Sequence, residues 1–329
     1  MSSRDAALNG RRVLVTGGAG VIARELLAQL AEAGSEILSV DRLPLPMTAP
    51  RGVRHVIGDL AEMDLAELEH FRPEHIFHLA ATFERPVESP EFWAQNWSDN
   101  VIVTHRLAEL GERARVTGSF VFASSYLVYD PAQYAFPDPP SHSTALSEVA
   151  VIRPRNLCGA AKLYGEAEAS FVHGVRRAPY RAVFARIFRV YGRGSRDIVS
   201  RWVRAALGGQ PIDVYHPENR FDYVFSGDVA EGLLRMAATK AAVGPINLAS
   251  GRSRPVGEVI AAIERATGRH LDRSDHPVDE LYEASQADLT RLEDVLGWRP
   301  PTTLEAGVER LVAFERVQAS TRAERPAGA

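Results

Sequence analysis

The sequence holds one cysteine, Cys158, so no disulfide can form within the chain, and such usage fits a reducing compartment. It has no surplus of positive charge: 38 Lys and Arg stand against 42 Asp and Glu, a formal net charge of −4. That balance argues against nucleic acid or an anionic membrane as partner. Nowhere does it run through the roughly 18 apolar residues that a membrane span needs. Its first ten residues, MSSRDAALNG, lack the apolar centre of a signal peptide. A soluble, cytoplasmic globular protein is expected. Its 329 residues, 45% hydrophobic and 24% charged, suit one large α/β core with a smaller second lobe.

What is present is alternation. Short apolar, β-branched runs at 12–16, 36–40, 53–57, 75–80, 120–125 and 180–188 read as strands. Between them, 21–33, 62–71, 91–115 and 157–177 read as helices. This rhythm predicts right-handed crossovers and a Rossmann-like, doubly wound parallel sheet covered on both faces. After about residue 189 the rhythm loosens. Helices are expected at 196–207, 227–239, 256–267 and 303–316, with strands at 211–215 and 245–249. The segment 131–140 reads as a proline-rich loop.

Thr16-Gly17-Gly18-Ala19-Gly20-Val21-Ile22-Ala23 joins the first strand to the first helix. Gly17 permits a tight turn, Gly20 a close backbone approach to a pyrophosphate, and the helix start at Val21 and Ile22 offers free N–H groups. Asp41 ends the second strand, 24 residues after Gly17. A carboxylate there accepts from both ribose hydroxyls and repels a 2′-phosphate, which favours NAD over NADP. Arg42 beside it works against that preference, because it could meet a phosphate. The expected organisation is therefore an N-terminal extension at 1–10, an NAD-binding domain at 11–188 to which 220–250 returns, a smaller C-terminal α/β substrate lobe at 189–316, and a polar, disordered tail at 317–329.

The motifs in order resemble those of the extended short-chain dehydrogenase/reductase family, the NAD-dependent epimerase/dehydratase group. Thr16–Ala23 is similar to TGGAGFIG. Gly58-Asp59-Leu60 resembles a turn whose aspartate contacts adenine. His78-Leu79-Ala80-Ala81 resembles a strand end beside the cofactor, and Asn96 falls at a family asparagine. Ser124-Ser125-Tyr126-Leu127-Val128-Tyr129 resembles SSxxVYG. Gly227-Asp228-Val229 and Leu296-Gly297-Trp298-Arg299-Pro300 resemble D-D-V and LGWxP. The resemblance covers about residues 11–310. It implies the fold above, NAD as cofactor, a nucleotide sugar or related acidic sugar as substrate, and a homodimer paired through helices 91–115 and 157–177.

The family's chemistry rests on a hydroxyl residue, a tyrosine, and a lysine four residues later. The resemblance places the hydroxyl at Ser125, with Ser124 as a second one near the nicotinamide, and the lysine at Lys162. The tyrosine position is Cys158. Its spacing puts it on one helix face with Lys162. Two readings stand: a thiolate base favoured by the neighbouring ammonium, or a small apolar filler in place of the phenol. If the thiol is inert, Tyr126, Glu84, Arg85 or His142 must move the proton. Tyr126 and Leu127 replace the acid pair of the 4,6-dehydratases, so the tract matches epimerases better. On the substrate side Arg189 replaces an asparagine, Phe221 replaces a phosphate-binding arginine with Arg220 one residue earlier, and the R-x-G-D pattern is missing around 275–280. Arg189, Arg193, Arg196 and Arg201 form a basic run suited to phosphate or carboxylate, or to a solvated helix face. Glu84 and Tyr126 complete the expected substrate contacts. Epimerisation or elimination through a transient ketone, a simple ketoreductase or dehydrogenase, and a non-enzymatic NAD-binding protein are the competing functions, in that order.

Overall fold

The computed structural model describes residues 3–83, 88–276 and 280–323. Seven strands form its main sheet in the order Gly244–Leu248, Arg181–Ile187, Ser119–Ser125, His75–His78, Arg12–Thr16, Glu36–Asp41, Arg54–Ile57. Every pairing is parallel. The chain builds outward from Arg12–Thr16 in one direction, then returns to build in the other. The crevice of such a sheet lies at this reversal, outside the carboxyl ends of the strands. There Thr16 lies opposite His78.

Alternation along the strands explains the two layers. Val13, Val15, Val121, Val183 and Ala185 face one core, beneath helices Val21–Glu32 and Ser226–Ala238. Leu14, Phe120, Phe122 and Phe184 face the other, beneath helices Val103–Arg113 and Leu157–Gly174. A third core gathers Trp202, Val203, Ile212, Val259, Ile263, Val308 and Leu311. It joins helices Ile198–Gly208, Val256–Thr267 and Leu304–Ala323.

Three local readings change. The long helix at 91–115 is a helix at Pro90–Asn96, a π-turn at Trp97–Ile102, and a helix at Val103–Arg113. Single π-turns are frequent at functional sites, and this one turns Asn100 inward beside Asn96, both buried. The N-terminal extension carries a helix at Ser3–Leu8, and Leu8 is fully buried in the first core. The tail expected to be disordered from 317 is helical to Ala323. Glu315, just before it, is tied to Arg204 at 2.9 Å. Residues 324–329 lie outside the described residues.

Helix Leu157–Gly174 is fixed to the sheet by a buried ion pair. Arg186 donates to Glu166 through Nη2 at 2.7 Å and Nε at 3.0 Å. Ser124 donates to the same carboxylate at 2.5 Å. Arg186 also reaches the Tyr129 hydroxyl at 3.3 Å, which donates to Asn247 at 2.6 Å. Removing one partner of such a pair strands the other charge without water. Arg186→Met is expected to lower unfolding free energy by about 3–5 kcal/mol. Chemical denaturation checks this, and Arg186→Met combined with Glu166→Leu is expected to recover much of the loss.

Candidate functional site

The glycine turn sits where the two inner strands end. Gly17 has φ of +73°, and a Cβ there would lie 2.7 Å from the Ala80 nitrogen. Only glycine meets both conditions. No side chain caps the start of helix Val21–Glu32, so the N–H groups of its first turn, including Val21 and Ile22, keep their capacity for an anion. Asp41 accepts from the Ala19 and Leu43 nitrogens, each at 3.0 Å. Asp59 accepts from the Ala61 nitrogen at 2.9 Å, and Leu60 is buried behind it. Leu79, Ala80 and Ala81 form the opposite lip. His78 is fully buried and bridges Thr16 and Thr104 at 2.9 and 3.0 Å. Burial, with the charge of Lys162, holds its pKa well below 6.5, so this histidine is a neutral strut.

Two residues expected at the cofactor are met by carboxylates of the protein itself. Arg42 forks onto Asp99 at 3.1 and 3.0 Å and lies 3.7 Å from Asp59. Those carboxylates hold its charge, so it does not stand ready for a 2′-phosphate. Ser124 donates to Glu166, so its hydroxyl proton is already engaged within the protein.

At the other end of the crevice, Ser125 accepts from the Leu127 nitrogen at 3.2 Å and starts the short turn Tyr126–Val128. The segment before helix Leu157–Gly174 lies against that turn. Arg155 donates to the Leu127 carbonyl at 2.9 Å. A Cβ on Gly159 would stand 2.4 Å from the same oxygen, so glycine is needed for this contact. Asn156 caps the helix by accepting from the Gly159 nitrogen at 2.9 Å. Cys158 therefore sits in the first turn, buried, its thiol 3.8 Å from the Thr82 carbonyl. Lys162 follows one turn later, its ammonium 4.7 Å from the centre of the Phe122 ring. Burial pushes Lys162 down to about 8, and Cys158 pulls it partly back. Asn100 holds Thr82 from both sides, at 2.9 and 3.2 Å, and Asn96 holds Asn100 at 2.7 Å.

The expected substrate residues separate. Tyr126 donates to Glu283 at 3.1 Å. Glu283 is buried and also receives Arg155, Ser285 and, at 3.5 Å, Arg189. Burial alone raises its pKa, but the charges of Arg189 and Arg155 outweigh burial and leave the carboxyl below its usual range. Arg189 lies over the rings of Phe221 and Tyr126, at 4.4 and 5.6 Å. Arg193 turns back to Glu25 of helix Val21–Glu32 at 2.8 Å, while Arg196 and Arg201 are exposed. The basic run is therefore no single anion site: the chain turns between Arg189 and Ile198, and its arginines diverge. Glu84 and Arg85 lie outside the described residues. His142 is exposed on its loop, in a groove with Arg220.

Sequence reasoning missed Thr82, Asn100, Arg155 and Glu283. Asn100 had a signal, since it follows Asn96 by four residues on a helix. Glu283 had none, because its partner Arg189 is 94 residues away in the chain.

Fold and site together define an α/β enzyme built around a dinucleotide. The model of the NAD dependent epimerase/dehydratase family matches residues 13–249, and the chain belongs to that family. It is 29% identical to a UDP-glucose 4-epimerase of Mycolicibacterium smegmatis, over 93% of this chain and 98% of that one. It is 28% identical to UDP-glucuronic acid decarboxylase 2 of Arabidopsis thaliana, over 92% of this chain and 68% of that one. The structure of MoeE5 in complex with UDP-glucose and NAD superposes with a TM-score of 0.82 at 28% identity, covering 94% of this chain and 99% of that one. Among the described residues no helix is long and apolar enough to cross a membrane.

The family's cofactor fits the residues present: a glycine turn that admits no Cβ at Gly17, an uncapped helix start, and a carboxylate at Asp41. Gly17→Ala is expected to weaken NAD binding by roughly tenfold or more, from the strain of a left-handed non-glycine residue alone. Calorimetric titration with NAD measures it.

Proposed function

We propose that the chain is an NAD-dependent nucleotide-sugar epimerase that oxidises a sugar hydroxyl transiently and returns the hydride. The observation that carries this reading is the placement of Cys158 and Lys162 one turn apart beside the Ser125 turn, at the carboxyl edge of the sheet. The relatives named as a UDP-glucose epimerase and as a complex with UDP-glucose and NAD support the substrate class. Bound NAD supplies the hydride acceptor. Ser125 orients the reacting hydroxyl.

The proton goes to the Cys158–Lys162 pair. Lys162 feels the charge of Cys158 one helical turn away, so the two titrations are coupled. Carrying both its protons, the pair cannot accept another. Once it has lost one, it can, and with Lys162 pushed to about 8 this loss begins near neutrality. The first turn of a helix also favours a thiolate through the helix dipole. A tyrosine is then not required. Turnover is expected to rise with pH through about 8 and level off above it. Cys158→Ala is expected to lower turnover by roughly 100- to 10,000-fold, the usual worth of a positioned base. A pH–rate profile of both proteins checks this; unchanged turnover in Cys158→Ala would show the thiol to be filler.

The substrate anion is held at Arg189 and Arg155. These two arginines share one buried carboxylate, Glu283, which offsets part of their charge. Incubating the protein and NAD with UDP-glucose, UDP-galactose and UDP-glucuronic acid tests the whole reading. Epimer formation without net change in nicotinamide absorbance is expected. Stoichiometric NADH would instead mark a dehydrogenase, and no conversion of any of the three would overturn the assignment.

The reading includes a cytoplasmic location and a homodimer. Tyr164, Phe171 and Val175 form an exposed stripe on helix Leu157–Gly174 and just beyond it, and Trp93 and Trp97 are exposed on the neighbouring helical segment. Helix Val103–Arg113 meets helix Leu157–Gly174 and the residue Arg176 just beyond it through His105 with Glu168 and Arg176 with Glu112. An apolar patch of this kind is covered in a stable protein. Phe171→Glu is expected to convert a dimer to a monomer in sedimentation velocity, with the fold intact because the side chain is exposed.

A further inference from the structure

The arginine that the family motif would place at 221 stands at 220, and in a strand one residue changes the face. Within Arg220–Phe225, Phe221 and Tyr223 meet edge to face at 5.9 Å, and Phe221 carries Arg189 on the cleft side. Arg220 and Asp222 face the other way. Asp222 is fully buried and holds the turn at 250–252 in place. It accepts from the Ser250 nitrogen at 2.8 Å, the Ser250 hydroxyl at 2.6 Å and the Gly251 nitrogen at 3.0 Å. That turn and Arg220 line a polar cavity of about 550 Å³, together with His142, Arg252, Arg254 and Gln286.

The charge in this cavity is unbalanced. Arg254 is neutralised by Glu258 at 2.8 Å and Glu305 at 3.7 Å. Among the described residues no carboxylate accepts from Arg220 or Arg252. The Arg220 Nε is buried and has no hydrogen-bond partner there. A buried guanidinium N–H left without an acceptor is costly, and a planar fork of donors suits an oxyanion. The walls are preorganised: Ser253 donates from its nitrogen to Gln286 at 3.2 Å, and its hydroxyl meets Ser143 at 2.5 Å.

We propose that this cavity is a second anion site, separate from the cleft, which binds a phosphate group between Arg220 and Arg252. Its volume admits more than the bare ion, so free phosphate and the phosphate of a small organic molecule share the chemistry.

Calorimetric titration with inorganic phosphate, at fixed ionic strength in chloride, tests the site in the full chain. Saturable binding is expected. Arg220→Gln and Arg252→Glu are each expected to weaken it by roughly tenfold, the worth of one charge-assisted hydrogen bond. Arg189→Gln, in the cleft, is expected to leave it unchanged. Arg252 is exposed, so its replacement keeps the test valid if Arg220→Gln folds poorly. A parallel titration with glucose 6-phosphate separates the sources: tighter binding than phosphate, weakened by Arg252→Glu, marks an organic phosphate, and equal binding marks the free ion. No binding of phosphate to the unaltered protein, or binding lost with Arg189→Gln and kept with Arg252→Glu, overturns the proposal. Because the readout is binding away from the cleft, failure of the epimerase reading leaves it standing.

Discussion

The Arg186–Glu166 ion pair is the constraint on which the site depends. Glu166 lies four residues after Lys162 and eight after Cys158, so all three share one side of helix Leu157–Gly174. Arg186 belongs to the neighbouring strand, and Ser124, which donates to the same carboxylate, lies next to Ser125. The pair therefore sets the height and rotation of the helix against the end of strand Ser119–Ser125. Through Tyr129 and Asn247 it also draws in Gly244–Leu248, the outermost strand. A buried ion pair is no sure gain in stability, since desolvation offsets much of the attraction. What it gives here is a fixed position: with two buried charges to satisfy, no other rotation of the helix serves.

That arrangement changes the meaning of the missing tyrosine. A phenol at 158 would reach further into the cleft than a thiol does. The thiol instead lies against the Thr82 carbonyl, and Thr82 is in turn clamped by Asn100. The π-turn at Trp97–Ile102 brings Asn96 and Asn100 together on the inside, and Asn96 reaches the Leu157 carbonyl at 3.3 Å. One asparagine thus touches the start of helix Leu157–Gly174 and the other touches Thr82. The wall of the site and its candidate base are tied into one hydrogen-bonded unit, and a shorter side chain at 158 needs such fixed positions if proton transfer is to stay efficient.

Much of this was legible in the sequence because it is local. The glycine turn, Asp41 and the strand–helix rhythm each follow from neighbours in the chain, and the crevice falls where they predict. The Cys158–Lys162 spacing was legible because a helix repeats nearly every four residues. The partners of charged side chains were not. Arg42, Ser124 and Arg193 each look available in sequence, yet each is met by a carboxylate from a distant segment: Asp99, Glu166 and Glu25. Side-chain partners across a fold carry no periodic signal. The tail as far as Ala323 was misread for a related reason. Its polar composition reads as disorder until Val308 and Leu311, one turn after another, are seen to pack against two other helices and lead the chain on.

The same distinction bears on substrate choice. A cleft holding Arg155 and Arg189 alone would carry two charges and favour a dianion. Glu283 removes one, and burial makes this neutralisation firm, because a charge so enclosed cannot be screened by salt. An anion meeting these two arginines would then feel a weaker field than two unpaired guanidinium groups would give. Exchange of a buried carboxylate, rather than of an exposed arginine, is thus the change that most directly retunes this cleft between substrates of different charge.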